Sequence, residues 1–222
     1  SDVAVWRRGF LDGLAARAGE LGLRPRVHVK FDTGMGRLGE RDPERVAELV
    51  DACAADERVE LAALWTHFAT ADDDEAFLRE QLGRFRELAD RVRERHSDLR
   101  LHAANSAATL RGAEFHLDAV RCGIGIYGLD PFGVDPAPHG LEPALSLHSY
   151  VADVKDFEAG DSAGYGRTWS APSPTRVGVI PIGYGDGYRR GLSNACDVLV
   201  EGRRVPVAGT ISMDNTTVDL GA

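Results

Sequence analysis

The segment Val27-His28-Val29-Lys30-Phe31-Asp32-Thr33-Gly34-Met35-Gly36-Arg37-Leu38-Gly39 is a buried-strand pattern that ends in a lysine, an acid, a glycine-rich turn and an arginine. Lys30 is one of only two lysines in the chain, the other being Lys155, and the remaining cationic side chains are arginines. A lone lysine where a strand opens into a glycine-rich turn indicates a chemical role.

Helix and strand patterns alternate around this segment through residue 128. Apolar spacing predicts helices over 6–21, 42–53 and 77–92, the second with Asp42 as N-cap and Pro43 in its first turn. The strand patterns are continuous apolar runs, typical of parallel strands covered on both faces. They lie at 26–31, 61–68, 99–104 and 117–121.

Each predicted strand finishes near a polar residue that could serve a site. These residues are Lys30, His67, Asn105 and Arg121. The carboxyl ends of parallel strands form the active face of a (β/α)8 barrel or an open α/β sheet. The sequence therefore predicts an α/β fold, a partial barrel of about four βα units with its polar residues on one face.

A second, mostly β domain is predicted after a linker rich in proline and glycine. Strand patterns follow at 144–157, 175–182, 198–207 and 216–220, and Glu201-Gly202 is a hairpin turn signal. The predicted bounds are 1–130 for the partial barrel, 131–143 for the linker and 144–222 for the β-domain.

Composition excludes several classes of protein. The 222 residues carry a net charge of −9, which argues against a nucleic-acid surface. Three scattered cysteines predict no metal site and no disulfide framework, as is usual in the cytoplasm. No apolar run approaches the roughly 18 residues of a membrane span. The first residue is not Met, and both ends interrupt a pattern, so we expect a piece of a longer protein.

Three short motifs suggest other functions. Gly34–Gly39 and Gly123–Gly128 both fit GxGxxG, but neither leads directly into a predicted helix, as a dinucleotide site requires. The glycine amides that follow Arg121 could still bind a phosphate group, and this alternative is kept. Asp32-Thr33-Gly34 matches the DTG of aspartic proteases, which need a second such carboxylate, and the chain has no second DTG or DSG.

Two histidines and two tyrosines have both a structural and a functional interpretation. His67 and His102 are either core residues of strands or members of a polar network with Lys30, Asn105 and Arg121. Tyr165 and Tyr184 lie between glycines, as turn aromatics do. Either phenol could instead face a site, and it could act as a base if its pKa fell from about 10.

Seven motifs in order make the chain resemble the alanine racemases, pyridoxal-phosphate enzymes of fold type III. The motifs are VHVKFDTGMGRLG (27–39), THFATAD (66–72), HAANSAA (102–108), VRCGIGIYG (120–128), AGYGRTW (163–169), IGYGDGYRR (182–190) and GTISMD (209–214). The resemblance implies a TIM barrel, two-base racemisation of alanine that supplies D-alanine for peptidoglycan, and a homodimer with shared active sites.

The resemblance also implies roles for particular residues. Tyr165 corresponds to the second catalytic base, and Arg121 to the arginine on the pyridine nitrogen, supported by His102 and linked to Tyr165 through His67. This chain of positive charge would lower the pKa of Tyr165. Other implied positions are Asn105, Ser106, Gly123 and Ile124 at the cofactor phosphate, Arg37 and Met213 at the substrate carboxylate, and Asp72, Tyr184 and Arg190 at the substrate entrance.

The departures from the family pattern limit what the resemblance implies. Nothing in the chain matches the family's Schiff-base lysine, so we expect the chain alone to be inactive. Lys30 corresponds instead to a lysine that is often carbamylated and holds Arg37, or it is an ordinary lysine paired with an acid. Thr210 replaces an arginine at the entrance, and Cys122 replaces a proline. The alternatives are a non-catalytic cofactor-binding or interaction protein on this scaffold, and a nucleotide-binding module.

Overall fold

The computed structural model describes residues 2–222 and divides them into two compact units between Leu145 and Ser146. The first unit is a parallel sheet with helices, and the second is mostly β-structure. The predicted fold class is therefore confirmed. No helix within residues 2–222 is both long and apolar enough to cross a membrane.

The first unit is built on a four-stranded parallel sheet in the order β1-β2-β3-β4. Its strands are β1 (Asp2–Val5), β2 (Arg26–Lys30), β3 (Glu60–Trp65) and β4 (Arg100–His102). Its helices are α1 (Arg8–Leu21), α2 (Pro43–Ala55), α3 (Glu75–Arg93) and α4 (Ser106–Arg111). Helices α1, α2 and α3 each connect two adjacent parallel strands, as in repeated βαβ units.

Side-chain caps explain where helices α2 and α3 begin. The Asp42 carboxylate accepts the Glu44 amide at 2.9 Å before α2, and the Asp74 carboxylate accepts the Phe77 amide at 3.0 Å before α3. The predicted apolar face of α2 is buried, and Phe85 of α3 is fully buried in the same core. Both helix predictions are confirmed.

Two expectations for the first unit are wrong, and one strand was not expected. Strand β1 precedes the first helix, because the short run Asp2–Val5 pairs in parallel with β2 before α1 starts. The expected strand at 117–121 is reduced to one bridge between His102 and Ala119. On α1, Phe10 and Leu21 are 47% and 52% exposed, so the helix buries a narrower face than its spacing predicts.

The second unit contains three small antiparallel sheets. Their strands are β5 (Asp153–Phe157), β6 (Ser162–Ala163), β7 (Trp169–Ser170), β8 (Thr175–Ile180), β9 (Asp197–Val200), β10 (Arg203–Pro206) and β11 (Thr216–Gly221). Strand β8 lies between β11 and β5, and β9 and β10 form the predicted hairpin through Glu201 and Gly202 at positive φ.

The expected strand at 144–157 is confirmed only in its second half. Pairing with β8 begins where the Ala152 amide donates to the Val179 carbonyl at 2.8 Å. Before this point the alternating residues find no neighbouring strand among residues 2–222, and Leu145 and Leu147 are exposed. A period-2 pattern fixes which faces a strand would present, but it supplies no pairing partner.

Candidate functional site

The glycine-rich turn after β2 is organised by Asp32. Its carboxylate accepts the amides of Gly34 and Gly36 at 3.1 Å, while its own backbone N–H donates to the Glu40 carbonyl at 2.8 Å. Asp32 is 7% exposed, so its carboxylate serves the turn rather than solvent. Gly39 closes the turn at φ +128, where an added Cβ would lie 2.9 Å from the Asp32 nitrogen.

Lys30 is a buried cation without an ion-pair partner among the described residues. It is 3% exposed, and its Nζ lies 4.5 Å from the centre of the Trp65 ring. Burial lowers the pKa of Lys30, as do the positive charges of Arg37 and Arg121, while Asp32 partly offsets them. The expected pairing of an ordinary lysine with an acid is not formed here, and Arg37 itself is exposed.

Arg121 is held by four hydrogen bonds. Its Nη1 donates to His102 Nδ1 at 2.7 Å, and its Nη2 donates to the carbonyls of Thr66 and Ala103 at 2.9 and 3.0 Å and to His67 Nδ1 at 3.2 Å. The guanidinium carbon lies 4.6 Å from the Trp65 ring centre. The Nε–H donates to no residue in the range 2–222, so this donor stays available to a ligand.

Both histidines on Arg121 are neutral near pH 7. Burial, followed by the charges of Arg121, Arg37 and Lys30, lowers the pKa of His67 to about 4. Burial, Arg121 and His28 lower the pKa of His102 to about 3. Burial lowers the pKa of Arg121 to about 10, which leaves it charged. The expected chain of positive charge is therefore wrong for the histidines, because Arg121 is charged but His67 and His102 are neutral.

A group of donors lies between α4 and the turn at Ile124–Tyr127. Ser106 Oγ accepts the amides of Gly123 and Gly125 at 3.0 and 3.1 Å, so its hydroxyl proton is free to donate elsewhere. The Ile124 amide is the first in its 3₁₀ turn and has no acceptor within that turn. Asn105 caps α4 through the Ala108 amide at 2.9 Å rather than ending a strand.

The two GxGxxG segments form turns rather than a dinucleotide site. Gly34–Gly39 closes on Asp32, and α2 begins only at Pro43. Gly123–Gly128 enters a single 3₁₀ turn, Ile124–Tyr127, instead of an α-helix. The pyrophosphate site of a dinucleotide fold needs a helix N-terminus directly after the glycines, and neither segment provides it.

Asp72 is held through its backbone, and Cys122 through its side chain. The Asp72 carbonyl accepts Arg111 Nη2 at 3.1 Å, while its carboxylate is exposed. Cys122, which replaces the family's proline, donates to Thr109 Oγ1 at 3.6 Å. This contact leaves Arg121 undisturbed, because the Arg121 amide still donates to the Ala104 carbonyl at 2.9 Å.

In the second unit, Tyr165 and Thr210 are neighbours. Thr210 Oγ1 donates to the Tyr165 carbonyl at 2.8 Å, while the Tyr165 phenol has no hydrogen-bond partner in the described part of the chain and the residue is 72% exposed. A Cβ at Gly164 would lie 2.8 Å from the Thr210 nitrogen, so the glycine permits this close approach. Both residues line an open pocket of about 310 Å³. At this position Thr210 supports the turn and supplies no charge.

Tyr184 and Met213 are brought together through their backbones. The Tyr184 amide donates to the Ser212 carbonyl at 3.0 Å, and the Gly185 amide to the Met213 carbonyl at 2.7 Å. A Cβ at Gly183 would lie 2.4 Å from the Met213 carbonyl carbon, which explains the glycine. Arg190 is exposed at the start of a separate 3₁₀ turn, Arg190–Leu192.

Three further residues belong to the site and were not predicted from the sequence. Trp65 lies between Lys30, Arg121 and His102, stacked on the His102 ring at 5.6 Å, and its Nε1 is buried with no acceptor among residues 2–222. Gln81 of α3 is fully buried, although its place in an apolar helix pattern was a visible signal. His28 also joins this group, since its Nδ1 lies 2.9 Å from His102 Nε2.

Comparison with known families matches both units. The model described as "Alanine racemase, N-terminal domain" matches residues 2–131, and the one described as "Alanine racemase, C-terminal domain" matches residues 144–222. The chain is 42% identical over 217 residues to the alanine racemase of Chlorobaculum tepidum and 44% identical over 220 residues to that of Desulfovibrio desulfuricans. These alignments cover 95% and 97% of this chain, but 56% and 58% of the relatives.

Solved structures agree with the family models. The alanine racemase from D-cycloserine-producing Streptomyces lavendulae superposes with a TM-score of 0.85 at 40% identity, over 99% of this chain and 59% of that one. The alanine racemase from Bacillus anthracis with bound L-Ala-P superposes with a TM-score of 0.76 at 31% identity, over 100% and 58%. Because the matched residues include the Arg121 network and the Tyr165 turn, the chain belongs to the alanine racemase family.

Proposed function

We propose that this chain forms part of a pyridoxal-phosphate-dependent enzyme that interconverts L- and D-alanine by proton transfer between two bases. The chain spans less than two thirds of the length of the relatives it matches. The proposal therefore places the lysine that holds the cofactor covalently outside these 222 residues. It also places the enzyme in the cytoplasm, where it would supply D-alanine for peptidoglycan.

The observation that carries the proposal is the immobilised guanidinium of Arg121. A pyridine nitrogen needs one hydrogen-bond donor, and Arg121 Nε–H is a donor without an acceptor among the described residues. Arginine does not give up its proton near pH 7, so it would hold that nitrogen unprotonated. When bound, the cofactor stabilises negative charge on the substrate's α-carbon, less strongly with an unprotonated ring than with a protonated one.

The donors beside α4 fit the phosphate group of this cofactor. The free hydroxyl proton of Ser106 and the Ile124 amide are neutral donors, and the Gly123 amide lies beside them. A phosphate accepts such amide and hydroxyl donors readily. Asn105 caps the helix that carries Ser106 and so fixes its hydroxyl. Ser106 and Ile124 are the proposed direct phosphate contacts, with Gly123 beside them and Asn105 holding Ser106 in place.

We assign the substrate contacts to residues of both units. Arg37 would pair with the substrate carboxylate, the Met213 backbone would contact that carboxylate, and the Tyr165 phenol would hold and move the α-proton. Asp72, Tyr184 and Arg190 would line the entrance. In the proposed homodimer, Tyr165 and Met213 of each copy act on the site of the other copy. Within one site, His67 would link Arg121 of the same copy to Tyr165 of the other copy.

Lys30 is proposed to carry a carbamate that holds Arg37. Carbon dioxide forms a bond to the nitrogen of the neutral amine, which releases one N–H proton to solvent, and the lowered pKa of Lys30 makes that neutral form more accessible. The product, a carbamate, is an anion near Arg37 and Arg121. Its formation replaces the unpaired buried cation of Lys30. Protein treated with ¹³C-bicarbonate should show one carbamate ¹³C resonance, and Lys30→Ala should remove it. A spectrum without that resonance in the unmodified protein contradicts the assignment.

The experiment for the proposed function uses the full-length protein loaded with pyridoxal phosphate. Arg121→Gln should reduce alanine racemisation by about 100-fold, the usual scale for a lost electrostatic contact in an active site. The matched control is Arg86→Gln, since Arg86 is an exposed residue that donates to the Glu114 carbonyl. If the loaded protein does not interconvert alanine, or if Arg121→Gln is as active as the control, the proposal is wrong.

A non-catalytic cofactor-binding protein is the second candidate, and the lysines of the chain favour it. Lys30 is buried against Trp65, and Lys155 pairs with Asp153 at 3.1 Å on the surface of β5. If the full-length gene encodes no further lysine at the cofactor, binding without racemisation is expected. A visible absorption band from a lysine-bound cofactor, absent in Lys30→Ala, would instead make Lys30 the reactive lysine.

A further inference from the structure

A chain of hydrogen bonds leads from Arg121 across the sheet to β1. Arg121 Nη1 contacts His102 Nδ1 at 2.7 Å, His102 Nε2 contacts His28 Nδ1 at 2.9 Å, and His28 Nε2 contacts Asp2 Oδ2 at 3.0 Å. We call these four residues the relay. Val27 and Val29 of β2 point into the apolar core, so His28 between them points to the opposite face of the sheet.

The relay can be satisfied in only one arrangement of protons when its histidines are neutral. Arg121 is always a donor, so His102 Nδ1 must accept and its proton must lie on Nε2. His28 Nδ1 must then accept from His102, and the proton of His28 also lies on Nε2. That proton points at the Asp2 carboxylate, which can only accept when it is ionised. Arg121 at one end and Asp2 at the other therefore require the same tautomers, with the protons of His102 and His28 both on Nε2.

We propose that Asp2 and His28 are positioning residues for Arg121. This proposal rests on the proposed function, because it concerns the arginine assigned to the cofactor. The Asp2 carboxylate holds the His28 proton on Nε2, which keeps His28 Nδ1 free to accept from His102. His102 in turn offers Nδ1 to Arg121, and each bond polarises the next in the same direction.

An uncharged amide side chain at position 2 would no longer fix which atoms donate and which accept along the relay. An asparagine can either accept from His28 Nε2 or donate to it. If it donates, the His28 proton moves to Nδ1 and faces the proton on His102 Nε2, so two donors oppose each other and the bond between the rings breaks. The relay then no longer constrains Arg121 from this side. Arg26 also contacts Asp2 at 3.4 Å, but as a cation it cannot replace the carboxylate as an acceptor.

The experiment measures ring tautomers by ¹⁵N-histidine NMR on the full-length protein, with and without pyridoxal phosphate. We expect His28 and His102 to carry their protons on Nε2 in the unmodified protein. Asp2→Asn should convert His28 to a mixture of tautomers, and Asp2→Glu should restore the Nε2–H form. The charge-matched control is Asp12→Asn, because within residues 2–222 the Asp12 carboxylate forms an ion pair with exposed Arg8 on α1 and with no other residue.

A second measurement connects the relay to the reaction. Asp2→Asn should lower kcat for alanine about tenfold, as loss of an outer partner of a functional histidine does, with KM little changed and with activity rescued by Asp2→Glu. His28→Gln, which breaks the relay in its middle, should lower kcat similarly. The proposal is overturned if His102 carries its proton on Nδ1, or if Asp2→Asn keeps the wild-type tautomers. Such a result leaves the proposed function intact, because that function is tested separately by alanine racemisation in the loaded protein and by Arg121→Gln.

Discussion

Arg121 keeps its charge at neutral pH although burial lowers its pKa to about 10. Two carbonyls and two neutral histidines surround it, and the face of Trp65 covers it. No carboxylate pairs with the guanidinium among residues 2–222. Its positive charge is thus available to a ligand instead of being neutralised by a neighbouring acid.

Acidification tests the neutral state of His102 directly. The pKa of His102 is about 3 in the folded protein and about 6.5 when unfolded, so the unfolded state binds more protons between these values. The free energy of unfolding should therefore fall as pH drops from about 7, by about 2 kcal/mol from this residue at about pH 5.

Urea denaturation at several pH values measures this contribution. His102→Gln should flatten the loss of stability with acid, because the glutamine does not titrate. Exposed His148, whose side chain hydrogen-bonds to Ser146 Oγ at 2.9 Å and to no other group among residues 2–222, provides the control, and His148→Gln should keep the wild-type slope. Equal slopes for all three proteins would show that His102 is not a buried neutral histidine.

Two glycines of one turn provide a matched test of backbone geometry. At Gly39, φ is +128 and a Cβ would lie 2.9 Å from two atoms of Asp32, whereas at Gly36 φ is +69 with nothing within 4 Å. Gly39→Ala should cost about 3 kcal/mol or more of unfolding free energy, and Gly36→Ala about 1 kcal/mol. Thermal unfolding of both variants measures the difference, and similar values would contradict this account of the turn.

At the scale of elements, α3 positions the loop that carries His67. Gln81 is fully buried, accepts the Ala69 amide at 2.8 Å, and donates to Thr33 Oγ1 and the His67 carbonyl at 3.2 and 3.3 Å. One amide side chain thus connects α3 to the turns after β2 and β3. Because these groups are buried, each would be costly to leave without a partner.

Gln81→Met should destabilise the protein by about 2–3 kcal/mol, because an apolar side chain of similar size leaves the buried Ala69 amide unpaired. Hydrogen exchange at that amide should accelerate more than exchange in the middle of α2. The control on the same helix is Glu87→Gln on the exposed face. A stability equal to that of the control would exclude a role for Gln81 in holding the loop.

The elements differ in how far their sequence could predict them. Helices α2 and α3 carry their own caps and apolar faces, so local patterns were sufficient. Strand β1 and residues 144–150 could not be predicted, because pairing depends on distant strands. The contacts of His102 and His67 with Arg121 were expected from the family resemblance. The contacts of His28, Trp65 and Gln81 were not expected, since they depend on how the strands and helices pack against each other.

At the scale of the whole molecule, the predicted catalytic residues lie in both units. Arg121 and its partners belong to the first unit, and Tyr165, Thr210 and Met213 to the second. The proposed homodimer accounts for this division, since each second unit would complete the site of another copy. We propose above all that Tyr165 acts as one of two bases in a racemase whose cofactor is held by Arg121.

Deuterium exchange at the α-carbon of alanine tests this claim most directly. The full-length protein with pyridoxal phosphate is incubated with each enantiomer in D₂O, and α-deuteration and inversion are followed by ¹H NMR and chiral chromatography. We predict deuterated product of inverted configuration from both enantiomers. Tyr165→Phe should abolish α-exchange from one enantiomer while the other still exchanges. Unimpaired exchange and inversion of both enantiomers by Tyr165→Phe would contradict the claim.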